Sequence, residues 1–513
     1  MTAATGAPVR HRTPRATSAV PLNAARLLRV ELRRNAMPWI LPLIAALFWF
    51  DSYRPSTGTA PLYGLRTFWN LGQGHTIIDF GPFVAGVAAW MGSRDGRRGL
   101  ADLVTATARP RWAAKLATWA ATAIWAVAAY LLFAGVMFAM YAHQGVGGTP
   151  PWWWVAVGAT AVAAFSAAGF AIGAYWPSRF AAPVAAFIGF LAMAVSTQTG
   201  FKHASGWALI LPANASGSFD GSARTDSGMF YPWLPDLPIA RIMFLAGIAI
   251  AALGLTGLSA RAGGQWLRRA AAVVTLAGVA AAGTAVGLAG TARDSGHGVV
   301  IPALHDAAND VPITYTPACG RAAGVPVCLN PAYRRWLPDM TAALAPVLAE
   351  VAGLPGAPVR ATQVAAAYPS GDGGPPQAIT LGGDPPVLRM SLGLLNMPGP
   401  CGLCAPVATK QFADQLRLLF AHAFAGAGNG SGSPVQQAVQ AALLRGAGMP
   451  FAAQPGLMAA TENFPGPGPG LATGPVYAAA RRLAALPVAA RHAWLAAHLA
   501  ALRAGRLTLE ELP

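Results

Sequence analysis

Charge is scarce in this 513-residue chain, and acid is scarcer still. Only 11% of the residues are charged, with 19 Asp and Glu against 36 Lys and Arg. Because 54% are hydrophobic, an ordinary water-facing surface cannot be built over the whole chain, which falls among integral membrane proteins. Cysteine is limited to four residues, all between positions 319 and 404, so most of the chain is without a disulfide or thiolate-metal framework. No Gly-x4-Gly-Lys-Ser/Thr phosphate loop occurs, which excludes ATP binding in the P-loop manner. The first thirty residues are Arg-rich and lack an apolar core, so no cleavable signal peptide is expected and the first span should act as the targeting signal. The net charge of +17 would suggest nucleic acid if the basic residues shared a face. They cluster instead in short loops beside apolar runs, which is an orientation signal, and no nucleic-acid partner is expected.

What is abundant is apolar runs. A hydrocarbon layer about 30 Å thick needs roughly 20 apolar residues per helix. Six segments meet or approach this, at about 36–51, 74–92, 116–140, 152–174, 182–197 and 239–258. Trp152, Trp153 and Trp154 open the fourth as an interfacial aromatic belt. A seventh, Ala270 to Gly290, is the weakest by hydropathy. Residues 1–20 are small, polar and basic, and 21–35 read as an amphipathic helix with Leu27, Leu28, Val30 and Leu32 among Arg26, Arg29, Arg33 and Arg34, suited to a cytoplasmic membrane interface. The Arg and Lys bias puts the N-terminus inside and, after seven spans, everything beyond Thr291 outside. Asp79, beside Gly81 and Pro82 within the second span, is an intramembrane polar candidate, or a residue near the outer water boundary where the helix is kinked. Gly86, Ala89, Gly169 and Gly173 read as helix-packing surfaces.

The densest charge lies after the second span, in Arg94-Asp95-Gly96-Arg97-Arg98-Gly99. A short apolar stripe of Leu100, Leu103 and Val104 follows, closed by Arg109-Pro110-Arg111 and Lys115. A span ending in a charged Gly-containing turn, then a Leu-bearing helix, then a Pro/Arg pair before the next span, resembles the ABC-2 type permease family over about residues 22–260. In that family the segment is the coupling helix that docks on a separate ATPase. The resemblance implies an ATPase-coupling role for Arg94, Asp95, Arg97, Arg98, Leu100, Leu103, Arg109 and Arg111. Here Asp95 alone stands where members carry Glu before the Gly. It further implies an ABC-type ATPase subunit and a second permease copy or related permease as partners.

From about Val299 the pattern changes to short strands and helices. Val311–Tyr315 and Val325–Leu329 read as strands around a Gly-containing turn. Pro331–Leu354 reads as a helix started or kinked by Pro338 and Pro346. Val359–Val364 and Ile379–Leu381 read as strands, Thr409–Phe424 as a helix, and Pro475–Ala504 as a helical hairpin, together a small α+β domain. Cys319, Cys328, Cys401 and Cys404 all fall in it, which fits disulfides in an oxidising space, with Cys319–Cys328 the preferred pair. Cys401-Gly-Leu-Cys404 is also compatible with redox chemistry or half a zinc site. Strand and helix order followed by Phe420-Ala-His422 is faintly similar to zinc aminopeptidase-like domains. The Glu and second His of HExxH are replaced by Ala423 and Gly426, so any such site is dead.

The expected fold is therefore an α-helical membrane bundle of six to seven transmembrane helices followed by a small α+β soluble domain. Its parts are a cytoplasmic N-terminus with an interfacial helix (1–35), a permease domain (36–260), a basic linker with a seventh span (261–290) and an extracytoplasmic domain (291–513). The expected function is a multi-pass permease subunit, an exporter in a cell membrane. It is no enzyme itself, needs no cofactor or metal, and has the lipid bilayer as partner. The alternative is a membrane-anchored protein whose degenerate peptidase-like domain binds or senses.

Overall fold

The computed structural model describes residues 24–52, 75–98, 111–143, 148–199, 206–211, 227–258, 265–295, 298–365, 379–391, 410–427, 432–454 and 474–513. Helix dominates. In order come α1 (Ala24–Arg33), α2 (Met37–Ser52), α3 (His75–Gly92), the single turn α4 (Arg94–Arg97), α5 (Arg111–His143), α6 (Trp152–Tyr175), α7 (Ala181–Thr199), α8 (Gly206–Ile210), α9 (Asp236–Leu258) and α10 (Gln265–Ala289). Within α5, α6, α9 and α10 lie four stretches long and apolar enough to cross a membrane: Trp112–Met140, Trp152–Tyr175, Asp236–Leu258 and Gln265–Ala289. Three shorter apolar stretches, Met37–Leu47, Phe80–Gly92 and Ala181–Ser196, lie in α2, α3 and α7. Helix α10, read as the weakest by hydropathy, matches α6 over its most apolar stretch.

Small residues let these helices approach until backbones touch. A Cβ added at Gly169 or Gly173 of α6 would run into the carbonyls of Ala85 and Ala89 on α3. Gly247 and Gly254 of α9 lie in the same way against the backbone of α10, and Gly278 of α10 returns the contact. Gly86 faces Ala182 and Ala186 of α7, so the packing role expected for Gly86, Gly169 and Gly173 holds.

The second unit is a mixed five-stranded sheet, ordered β3-β4-β5-β7-β6, preceded by a two-stranded ribbon of β1 (Arg293–Asp294) and β2 (Val299–Val300). Strands β3 (Ala318–Ala322) and β4 (Val325–Leu329) form a hairpin whose two-residue turn, Ala323-Gly324, has φ of 49° and 83°. Two positive φ values in succession match the turn that suits the right-handed twist of paired strands. Strands β5 (Arg360–Gln363) and β7 (Val387–Met390) run parallel to β4, while β6 (Ile379–Gly382) is antiparallel to β7. The connection from β4 to β5 carries α11 (Leu337–Glu350), entered through a 3-10 turn with Pro338 in its first turn. Leu344, Val347 and Leu348 of α11 share a core with Val327, Leu329, Leu388 and Met390 of the sheet and with Phe412, Leu416 and Phe420 of α12 (Lys410–Ala425). Helices α13 (Pro434–Gly446), α14 (Gly474–Ala485) and α15 (Val488–Arg503) complete this core.

Two sequence expectations change. Val311–Tyr315 is not a strand. The Ile313 N–H bonds to the Phe230 carbonyl at 2.8 Å, so this segment pairs with the loop before α9 while the hairpin forms one step later. Helix α13 was not anticipated, although Ser433 and Gln436 form a reciprocal capping box around Pro434, a start signal written in the sequence.

The helices alternate in direction, so the charged turn α4 and the sheet domain occupy opposite ends of the bundle. Side chains mark the α4 end: Trp112 at the start of α5 donates to the Leu253 carbonyl (3.1 Å), and Tyr175 at the end of α6 donates to the Leu255 carbonyl (2.7 Å). At the other end the Asn330 amide reaches the Met229 carbonyl at 3.3 Å, and Met229 and Phe230 join the sheet domain's core.

Candidate functional site

The charged turn is built from the last turn of α3 outward. Ser93 is fully buried and its hydroxyl bonds back to the Trp90 carbonyl at 3.1 Å. Arg97 folds over the same turn. Its Nε donates to Ser93 Oγ at 3.0 Å, its Nη2 donates to the Trp90 carbonyl at 2.9 Å, and its guanidinium lies 3.3 Å above the Trp90 ring. Arg94 points the other way, donating to both carboxylate oxygens of Glu31 on α1 at 3.0 and 3.1 Å, with Asp95 at 3.5 Å. A forked guanidinium–carboxylate contact of this kind fixes orientation as well as distance. Gly96 meets Pro177 in the corner between α6 and α7 so closely that a Cβ would collide with the proline ring. Partial burial works against the Arg94 charge, but Glu31 and then Asp95 outweigh it, and its pKa ends above the usual arginine value. Burial, and then the neighbouring Arg98, push the Arg97 pKa down.

Helix α1 is itself pinned. Asn35 accepts from the Met37 N–H at 2.9 Å, starting α2, and donates to Thr122 Oγ1 of α5 at 2.9 Å. Trp125 of α5 donates to the Leu32 carbonyl at 3.1 Å. The turn is thus clamped to α1, α3 and the α6–α7 corner, and α1 and the residues just after it are tied in turn to α5.

Of the coupling residues expected from the sequence, Arg94, Asp95, Arg97 and Arg98 come together here, with Arg98 and the Asp95 side chain facing water. Leu100, Leu103 and Arg109 lie outside the described residues, as does the side chain of Arg111, whose backbone opens α5. Asp79 belongs to α3, but its side chain lies outside the described set. Cys319 and Cys328 are paired directly across β3 and β4 and joined as a disulfide. Cys401 and Cys404 lie outside the described residues. His422 is buried on α12, next to Ala423. The helix ends at Ala425, and Gly426 takes a φ of 76° against the backbone of Arg503. The position where HExxH needs its second His is therefore past the helix end, in a conformation that favours glycine. Among the described residues no cluster of three or more His, Cys, Asp or Glu is placed to hold a metal ion.

Three polar features escaped the sequence. Glu31 reads as one acid among arginines, and nothing local shows that it faces Arg94. Arg241 is fully buried inside α9, where its Nε donates to the Leu209 carbonyl at 2.8 Å and its guanidinium lies 5.2 Å from the Trp154 ring. Asp236, the first residue of α9, is also fully buried. Its Oδ2 accepts from the Ile301 N–H at 2.9 Å and faces His305 Nδ1 at 3.0 Å, while His305 Nε2 faces Asp310 Oδ2 at 3.0 Å. A neutral imidazole has one N–H, so two carboxylate partners call for the imidazolium. The Asp310 bond is the larger cause raising the His305 pKa; burial opposes it, and Asp236 adds to it.

Comparison with protein-family models, with curated proteins and with solved structures finds no match.

Proposed function

We propose that this chain is the membrane-spanning permease subunit of an ATP-driven transporter of the ABC-2 type, an exporter that borrows its ATPase. In this reading all seven apolar helices cross the bilayer, the α4 end is cytoplasmic and the sheet domain is extracytoplasmic. Closure of a separate ATPase dimer pushes on residues 94–98, and a second copy or related permease supplies the other half of the route. The observation that carries the reading is the clamp itself. A cationic turn with an exposed Arg98 is tied through Glu31 to α1 and through Gly96 to the α6–α7 corner, so a push there is shared by several helices. The basic residues at this end, opposite the sheet domain, agree with the positive-inside rule.

The test is copurification. The full chain extracted from its native membranes in mild detergent carries an ATPase, and Arg97→Ala with Arg98→Ala loses it while the chain stays membrane-embedded. A chain that never brings an ATPase with it rules the proposal out. A second reading, an anchored domain that binds or senses outside the cell, is favoured by the ties between the sheet domain and the loop before α9 at Asn330–Met229 and Ile313–Phe230. It predicts an intact chain with no ATPase.

A further inference from the structure

On the assumption that the helices span a membrane as proposed above, we infer that the arginine face of α1 is a binding surface for anionic phospholipid headgroups. Arg26, Arg29 and Arg33 are spaced three and four residues apart, so they share one side of the helix. All three are exposed, and among the described residues they form no ion pair. The single acid of α1, Glu31, is turned away from them into the bundle, where Arg94 holds it at 3.0 and 3.1 Å. Pairing Glu31 inside thus leaves the outer face purely cationic. A Glu31 facing outward would neutralise it.

The depth of α1 identifies the partner. Helix α5 has 33 residues, about 50 Å at 1.5 Å per residue, against a hydrocarbon layer of about 30 Å. About 20 residues counted back from its far end reach Thr122 to Ile124. There Thr122 bonds to Asn35, two residues past the end of α1, and Trp125 to Leu32 of α1 itself, and there the exposed large apolar residues of α5 begin, at Ile124 and Trp125. On α2 the exposed Trp39 and Leu43 follow Arg33 by six and ten residues. The arginines therefore sit at headgroup level, directly above the apolar belt, where an anionic surface attracts each of them.

The experiment uses the full chain in lipid nanodiscs with spin-labelled phosphatidylglycerol or phosphatidylcholine, and reads the fraction of motionally restricted lipid. The native chain retains phosphatidylglycerol over phosphatidylcholine by about fivefold, the effect of one well-placed arginine or more, and the ratio falls as salt rises. Arg26→Gln, Arg29→Gln and Arg33→Gln together bring the ratio near one, while the matching Lys substitutions keep it and so control for folding. An unchanged ratio in the Gln variant overturns the inference. So does a variant that keeps the preference but loses a copurified ATPase, since the face is then a protein-docking surface. A chain that washes off membranes without detergent fails the membrane reading itself, whereas one that stays embedded without lipid preference fails only this inference.

Discussion

Arg94 grips both carboxylate oxygens of Glu31, 63 residues earlier in the chain, at 3.0 and 3.1 Å with both side chains largely buried. Removing one partner leaves a charge without its counterpart in a partly dry site. Glu31→Gln is expected to lower stability by about 1–3 kcal/mol, below the range for fully buried pairs because some solvent reaches both groups. Thermal unfolding in detergent measures it. The charge-reversed pair Glu31→Arg with Arg94→Glu recovers part of the loss, and a double variant no better than the sum of the singles shows that the pair is not coupled.

Gly173 lies against the Ala89 carbonyl and Gly169 against that of Ala85. An added methyl must push α3 from α6, because backbone cannot step aside as a side chain can. Gly173→Ala is expected to cost about 1–3 kcal/mol. Gly283→Ala on α10 meets nothing within 4 Å and serves as the neutral control in the same assay. Equal effects would show that α3 and α6 do not pack so closely.

The His305 bridge gives a signed pH dependence. Asp310 and Asp236 raise the folded-state pKa above the usual 6.5. The bridge therefore contributes fully below pH 6.5, and its contribution is lost as pH rises through the higher folded value. Thermal stability scanned from mildly acidic to mildly alkaline pH falls over that window in the native chain. In His305→Gln the fall is smaller. A native profile that rises across it contradicts the bridge.

Cys319 and Cys328 close a loop of nine residues' separation. Restricting the unfolded chain over so short a loop stabilises by about 2–3 kcal/mol. The double Cys→Ser variant is expected to lose that amount in thermal unfolding. Since Cys401 and Cys404 remain in the variant, mass mapping of the native chain under non-reducing digestion identifies the 319–328 linkage.

How much of this was legible from residue order can be judged element by element. The apolar runs of α5, α6 and α9 are long and uninterrupted, so length and hydropathy locate them. The Cys319–Cys328 pairing followed from two thiols around an anticipated turn. Val311–Tyr315 misled because alternation shows that a segment can be extended and says nothing of what it pairs with. Its partner, Phe230, lies some eighty residues earlier. Strand β7 holds Arg389 among Val387, Leu388 and Met390 over four residues, and so short a run carries no alternation that separates it from loop; β5 and β6 are as short and were legible only as brief segments with apolar ends. The capping signal of α13 is present at Ser433 to Gln436, but the helix behind it is Gln- and Ala-rich and few of its residues are strongly apolar. In the charged turn, the cluster of Arg94 to Arg98 was legible as a cluster. That Arg94 and Arg97 point to opposite sides, one to Glu31 and one back over Trp90, depends on contacts made in three dimensions.

The central claim is that residues 94–98 receive the push of a separate motor. A photocrosslinking side chain placed at Arg98, which is exposed and makes no described contact needed for the clamp, tests it in the native membrane. The expected product joins this chain to a protein that carries a phosphate-loop ATPase sequence, and crosslinking changes when ATP is trapped in that partner. Crosslinks only to lipid, or to a protein outside the cell, would contradict the account.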